Sequence, residues 1–406
     1  MNWVLSIVWQ VRSLNKREPA IIGQQFVRSL EDIVRNQKSA DVVIVGGGIS
    51  GCATAYYLTT LGIRPVVVER EGVASAASGF AQGGLYLMSG AGLDGPLFPF
   101  AAESLRLHHE LYPALKEETG LDSLLASKPV LAVALSEPDV TELQARQVWQ
   151  TEKGFITRWL DDNAVRKLEP GIGPEVLGAL VTDDTWVLDS SVLTKAFMRA
   201  AEKRGAEIHI GNVQGLEWKG DQVTGVRLAN EVIHCANTVL ALGPWSANLQ
   251  DWIDVDVPVR PIKGEILRMR SNSPPVIPHI AWHDSYMVKK PDGLLWTGTT
   301  EDEAGFDNEP TESGARRIIE GAGRIYPAIL DATIEIHTAC LRPVTPDNAP
   351  IVGGVPGKYG VYIATGGGRK GILVGPAIGK SIADIVVNGA TDLPVASLGV
   401  ERFIMG

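Results

Sequence analysis

The sequence predicts an α/β protein. A Rossmann-type domain, assembled from separate stretches of chain, is joined to an α+β domain built on an antiparallel sheet. Three observations predict it. The stretch DVVIVGGGISGCATAYYL, from Asp41, is an apolar run, a glycine cluster and a helix-like run in succession. Apolar runs that end in glycine, TVLALG and VYIATGGG, return far along the chain. Between these lie alternating, strand-like segments interleaved with helical ones. With 406 residues, 45% of them hydrophobic, the chain can bury more than one core.

Taken in order, DVVIVGGG reads as a buried parallel strand ending in a turn. ISGCATAYYLTTLG reads as the helix that follows, stopped at Gly62, and RPVVVER as a second buried strand closing on Glu69. Gly46, Gly48 and Gly51 satisfy GxGxxG. The first permits a tight turn, the second lets a pyrophosphate approach the backbone, and the third lets helix and strand pack closely. Ile49 and Ser50 open the helix, whose N–H groups and dipole favour phosphate. An acid at a strand end about twenty residues on completes the pattern, since Glu69 can accept hydrogen bonds from a ribose. The expected ligand is an adenine dinucleotide, and the acid argues against a 2′-phosphate and hence against NADP. The next stretch, GVASAASGFAQGGLYL, is long, small and Gly-rich, and lets backbone lie against a flat ring system. That favours FAD over NAD.

GGGISG, then VVVER, then ASGFAQGGL resemble the amino end of the D-amino-acid oxidase and glycine oxidase group of FAD flavoproteins, which includes sarcosine oxidase-like enzymes. The resemblance runs over roughly residues 41–390 with its motifs in order. It implies a discontinuous, glutathione-reductase-like FAD-binding domain. In that reading Arg70 and Ser78 join the cofactor set, and Gln82, Gly83, Gly84 and Leu85 run along the isoalloxazine. Val213 lies on the adenine side and Gly243 near the dinucleotide. Gly367, Gly368, Lys370, Gly371 and Ile372 lie where TGGG meets a helix, their N–H groups facing the flavin C2 carbonyl.

The expected division is an amino-terminal extension (1–40), FAD-binding pieces at 41–125, 186–256 and 337–406, and substrate-domain pieces at 126–185 and 257–336. Helices are expected over ESLRLHHELYPALKEETG, SEPDVTELQARQVWQTEKG and ARRIIEGAGRIYP. SKPVLAVAL reads as a strand, and the run from Gly211 to Ser246 as a β-meander closing on TVLALG.

Arg342, in CLRPVTPDNAP, is a fork fixed in a rigid segment and suits a carboxylate gripped through two N–H groups. A structural pairing with Asp347 or with a backbone carbonyl is the alternative. The resemblance gives Arg342 the substrate carboxylate and adds Tyr286 and Arg369, with Lys370 as the second choice beside Arg369. Gly367 stands where many relatives have His, which opens space. Cys340, five residues before Thr345, matches the cysteine that bonds FAD covalently in sarcosine oxidase-like enzymes. Non-covalent FAD is expected, with the covalent link left open. No Cys or His cluster has metal-ligand spacing, so no metal site is expected. His108 and His109 are expected at the surface of a helix, and His283 at the mouth of the site.

The implied reaction is hydride removal from the carbon beside the nitrogen of a small amino acid or secondary amine to flavin N5, giving an imine that hydrolyses. Glycine, sarcosine, D-amino acids and proline are the candidate substrate types, and O2 or a quinone is the acceptor. A quinone-linked dehydrogenase, a subunit of a multi-subunit amine dehydrogenase and a non-catalytic flavin-binding subunit stay open as alternatives. The stretch DSYMVKK…TGTTEDEAGFD also resembles the amine-oxidising subunit of hydrogen cyanide synthase.

A net charge of −10 without a long basic run argues against nucleic acid. Three scattered cysteines suit a reducing compartment, so a cytoplasmic location is expected. No segment reads as long and apolar enough to span a membrane. Residues 23–38 place apolar side chains at helical spacing, which suits packing on the body, on a second copy or on a partner subunit. Residues 1–12, with Trp3, Leu5, Val8 and Trp9, leave peripheral membrane contact open.

Overall fold

The computed structural model describes residues 39–404 apart from 89–92, 94, 184 and 278. The expectations for residues 1–12 and 23–38 lie outside the described residues.

The β-branched run Ser39–Val45 is the centre of the first sheet, flanked in parallel by Val66–Glu69 and Val232–Leu240. Glu207–Ile210 extends it on one side. On the other, Val361–Thr365 pairs in parallel with Val232–Leu240, and Val213–Lys219 and Gln222–Leu228 add an antiparallel edge. Helix Ile49–Thr60 lies on this sheet and packs against helix Gly371–Asn388. Small residues set that approach, because a Cβ at Gly379 would stand 2.5 Å from the Ala53 backbone carbon.

The second sheet runs, in spatial order, Thr333–Val344, Arg260–Arg270, Leu295–Gly298, Ser285–Lys289, His279–Trp282, Val130–Ala134, Gly178–Thr182 and Thr157–Asp161. All its pairings are antiparallel except that of His279–Trp282 with Val130–Ala134. Helix Glu312–Ile325, capped by the Thr311 side chain, covers it through Ile318, Ala322 and Ile325. The α/β architecture and the antiparallel second sheet are those the sequence predicts.

Three particulars differ from expectation. Residues 337–344, expected to open the third FAD-binding piece, pair with residues 260–267 of the second sheet, and the chain joins the first sheet only at Ile351. The helical stretch Gly368–Asn388 does have the length and composition to cross a membrane, but most of it is buried in the core. His108 is buried, not at the surface. It falls with Ser104, Leu111 and Leu115 on the inner face of helix Leu97–Thr119, where its Nε2 meets Ile372 O at 2.9 Å and Leu373 O at 3.1 Å. His109 is exposed, as expected.

Burial pulls the His108 imidazole down to about 4 from its ordinary 6.5. The unfolded chain therefore takes up this proton first, and the stability tied to neutral His108 is lost as pH falls from 6.5 through about 4. Thermal unfolding followed by circular dichroism should show a midpoint that drops across that window. His108→Gln, which carries no titrating group, should flatten the slope there.

Candidate functional site

A cavity of about 480 Å3 opens where the glycine turn of the first sheet faces the hairpins of the second. Gly46, Gly48, Ile49, Ser50, Glu69, Arg70, Ser78, Gln82, Gly83, Gly84, Val213, Gly243, Gly367, Gly368, Lys370, Gly371 and Ile372 line it, and so do Tyr286, Cys340, Arg342 and Arg369. Two predicted residues do not. Gly51 sits under the turn, where a Cβ would stand 2.0 Å from Gly46 O, so it serves close packing. Leu85 points into the core and is 1% exposed.

At the turn, Gly46 has φ +114°, and a Cβ there would meet Ala241 O at 2.3 Å. Gly48 caps helix Ile49–Thr60 without a side chain of its own, and the first residues of that helix line the cavity. Glu69 closes its strand with Oε2 accepting from Gly47 N at 2.6 Å and Oε1 from Glu71 N at 2.9 Å. The carboxylate is thereby fixed beside the turn with lone pairs to spare. Ser78 Oγ accepts from Ile49 N at 2.9 Å, which ties the Gly-rich stretch to the helix start. A helix N-terminus without a cap side chain of its own, a glycine-lined wall and an anchored acid at a strand end form a cradle suited to FAD.

The far end of the cavity carries the polar side chains. Arg342, on strand Thr333–Val344, donates from Nη1 to Thr300 O at 3.0 Å and from Nη2 to Thr299 Oγ1 at 2.7 Å. A Cβ at Gly264 on the neighbouring strand would stand 2.2 Å from the guanidinium, so that glycine makes its room. Of the two alternative partners, Asp347 pairs with Arg402 instead, whereas a backbone carbonyl, that of Thr300, does accept from Arg342. Tyr286 lies on the adjoining hairpin, and burial pushes its hydroxyl above the usual range against the pull of Arg342. It stays a neutral phenol able to donate. Arg369 is turned onto two carboxylates, with Nε to Glu301 Oε1 and Nη2 to Asp284 Oδ1, each at 2.6 Å. The same Glu301 oxygen lies 3.6 Å from Arg342 Nη1.

Burial, helped by Arg369, pulls the Lys370 ammonium down to about 7, and its Nζ donates to Tyr86 O at 3.2 Å. Burial pushes the Cys340 thiol up against the pull of Arg342, which keeps it protonated. His283 lines the cavity, its Nε2 2.9 Å from Asp139 Oδ1.

The sequence reading missed Gly47, Trp245, His279, Asp284 and Thr299 in the wall, and Glu301 behind it. Gly47 was within reach, since it lies inside the glycine motif. Asp284 and Glu301 carry no local signal, because only strand pairing brings Tyr286 opposite Gly298 and so sets their ends side by side. Among the described residues no group of His, Cys, Asp and Glu could hold a metal ion.

The chain matches, over residues 41–385, the family described as FAD dependent oxidoreductase, DAO. Glycine oxidase of Bacillus licheniformis is 30% identical over 369 residues, spanning 90% of this chain and 97% of that protein. Hydrogen cyanide synthase subunit HcnC of Pseudomonas aeruginosa is 28% identical over 410 residues, again 90% and 97%. The crystal structure of glycine oxidase from Geobacillus kaustophilus is similar with a TM-score of 0.85 at 26% identity, over 90% of this chain and 99% of that one. With the glycine cradle, the anchored Glu69 and a match across both sheets, the chain belongs to the DAO family of FAD-dependent oxidoreductases.

Proposed function

We propose that this protein oxidises the C–N bond of a small amino acid or secondary amine, of the glycine, sarcosine, D-amino acid or proline type. One observation carries the reading. Arg342 sits in the wall of the cofactor cavity with its backbone and threonine partners fixing the guanidinium, beside a phenol that can donate. A fork held this way suits a carboxylate, with Tyr286 as a second donor. Arg369, held by Asp284 and Glu301, is a further cation at that end.

FAD, when bound, supplies the two-electron acceptor that takes a hydride from the carbon bearing the nitrogen. Arg342 and Tyr286 anchor the carboxylate, so the neighbouring carbon is held at one distance from the glycine wall. Ile266, Met88, Val130 and Ala281 line the cavity and keep water from that carbon. Lys370, its ammonium pulled down to about 7 by burial and Arg369, lines the same cavity. The product imine leaves and hydrolyses in water. Cys340 stays a thiol, which supports non-covalent FAD.

Mixing the purified flavoprotein without oxygen with glycine, sarcosine, L-proline or D-alanine tests the reading. Bleaching of the visible flavin band by one of them supports it, and the rate of return on readmitting air separates oxidase from dehydrogenase. Acid precipitation of the same sample should leave the flavin in the supernatant. Dithionite bleaching the band while no amine does would remove the reading and bring forward a non-catalytic subunit.

A further inference from the structure

The segment from Ala81 to Gly84 lines the cavity. Each of its first three carbonyls is drawn to a different donor. Ala81 O accepts from Ser190 Oγ at 2.9 Å, Gln82 O from Lys290 Nζ at 2.6 Å, and Gly83 O from Leu188 N at 2.9 Å. These peptides are trans, and a trans peptide sets its N–H opposite its C=O. Each anchor therefore turns the N–H of its own peptide, that of Gln82, Gly83 or Gly84, away from its donor, in a stretch whose residues line the cavity.

Lys290 is the unusual anchor. It is 5% exposed, it comes from the second sheet, and the same ammonium donates to Leu188 O at 2.7 Å. It thus clamps two strands of chain at once, the cavity wall and the segment that pairs with it. A tight turn holds its backbone, with Lys290 N donating to Leu294 O at 3.0 Å and Gly293 N to Lys290 O at 3.1 Å. Its ammonium also lies 5.0 Å from the centre of the Trp296 ring, whose Nε1 is fixed by Asp292. Gly83 has φ +81°, and a Cβ there would stand 2.1 Å from Leu188 O, so the clamp closes on a position without a side chain.

We propose that Lys290 is a positioning residue for the cofactor. It holds the Gln82–Gly84 peptides so that their N–H groups face the flavin, and so couples the second sheet to the electronic environment of the ring. The proposal rests on FAD binding in this cavity and not on any substrate. Loss of a charged donor shared by the Gln82 and Leu188 carbonyls removes the bonds that fix both, and the wall then loses its fixed orientation.

Lys290→Met apoprotein titrated with FAD, read by flavin fluorescence, tests it. The expected result is a Kd raised at least about tenfold, with far-UV circular dichroism unchanged and the visible spectrum of the saturated protein shifted from wild type. A wild-type Kd and spectrum overturn the proposal. So does a raised Kd with an unchanged spectrum at saturation, which is what a general loss of stability gives. Should Lys290→Met fail to fold, hydrogen exchange on the wild type decides. FAD should slow the amides of Gln82, Gly83 and Gly84 strongly and leave the already bonded Leu188 amide unaltered. Equal slowing, or none, overturns the orientation. No substrate enters either measurement, so failure here leaves the amine-oxidation reading standing.

Discussion

Arg342→Ala is expected to lower kcat/KM for the amino-acid substrate by roughly 30-fold to several thousand-fold, mainly by raising KM. Truncating one partner of a buried, hydrogen-bonded charge pair costs about 2–5 kcal/mol, and each 1.4 kcal/mol or so is tenfold. The guanidinium side chain is 13% exposed, so little solvent screens the interaction. If the fork also sets the distance of the reacting carbon, kcat falls with it. Arg342→Lys keeps the charge but loses the planar fork and should fall between the two. FAD affinity should be unchanged in both variants, because the residues of the glycine cradle are untouched. Steady-state kinetics beside an FAD titration separates these effects, and an unchanged KM in Arg342→Ala would remove the clamp from the account.

Gly46→Ala should abolish tight FAD binding. The position needs φ +114°, and its new Cβ would stand 2.3 Å from Ala241 O, a backbone atom that cannot swing away. Ala241 is itself tied down, its N donating to Val45 O at 2.9 Å. The backbone strain alone costs on the order of 1–3 kcal/mol, and relieving the clash moves the turn that faces the helix N-terminus. The variant should purify colourless, with an FAD Kd raised by about a hundredfold or more. Gly62→Ala is the matched control, with φ +83° but nothing within 4 Å of its Cβ. It should lose about 1 kcal/mol of stability and bind FAD as wild type does.

The nucleotide end of the cavity was legible because its signals are local. A strand, three glycines, a helix start and an acid at the next strand end lie within one short stretch, and each glycine's role follows from backbone geometry. The far end was only partly legible. Arg342 stands out in a rigid, proline-rich segment, but what surrounds it depends on the pairing of Thr333–Val344 with Arg260–Arg270 and on two hairpins. That pairing also carries residues 337–344 into the second sheet, which the sequence order did not show. Arg369 looked free for a substrate because Asp284 and Glu301 come from distant loops. His108 was misplaced because a helix of mixed polarity can hide a histidine when the facing helix offers two carbonyls. No local signal in the sequence singles out Lys290, and only its carbonyl partners give it a role.

The central claim is that this FAD-dependent oxidoreductase takes a hydride from a small substrate held by its carboxylate. Stopped-flow reduction without oxygen, comparing glycine and sarcosine with methylamine and dimethylamine, tests it most directly. The account predicts fast bleaching of the flavin by an amino acid and at most slow bleaching by the matching amine, with Arg342→Ala erasing the difference. Equal rates for amino acid and amine in the wild type would contradict it.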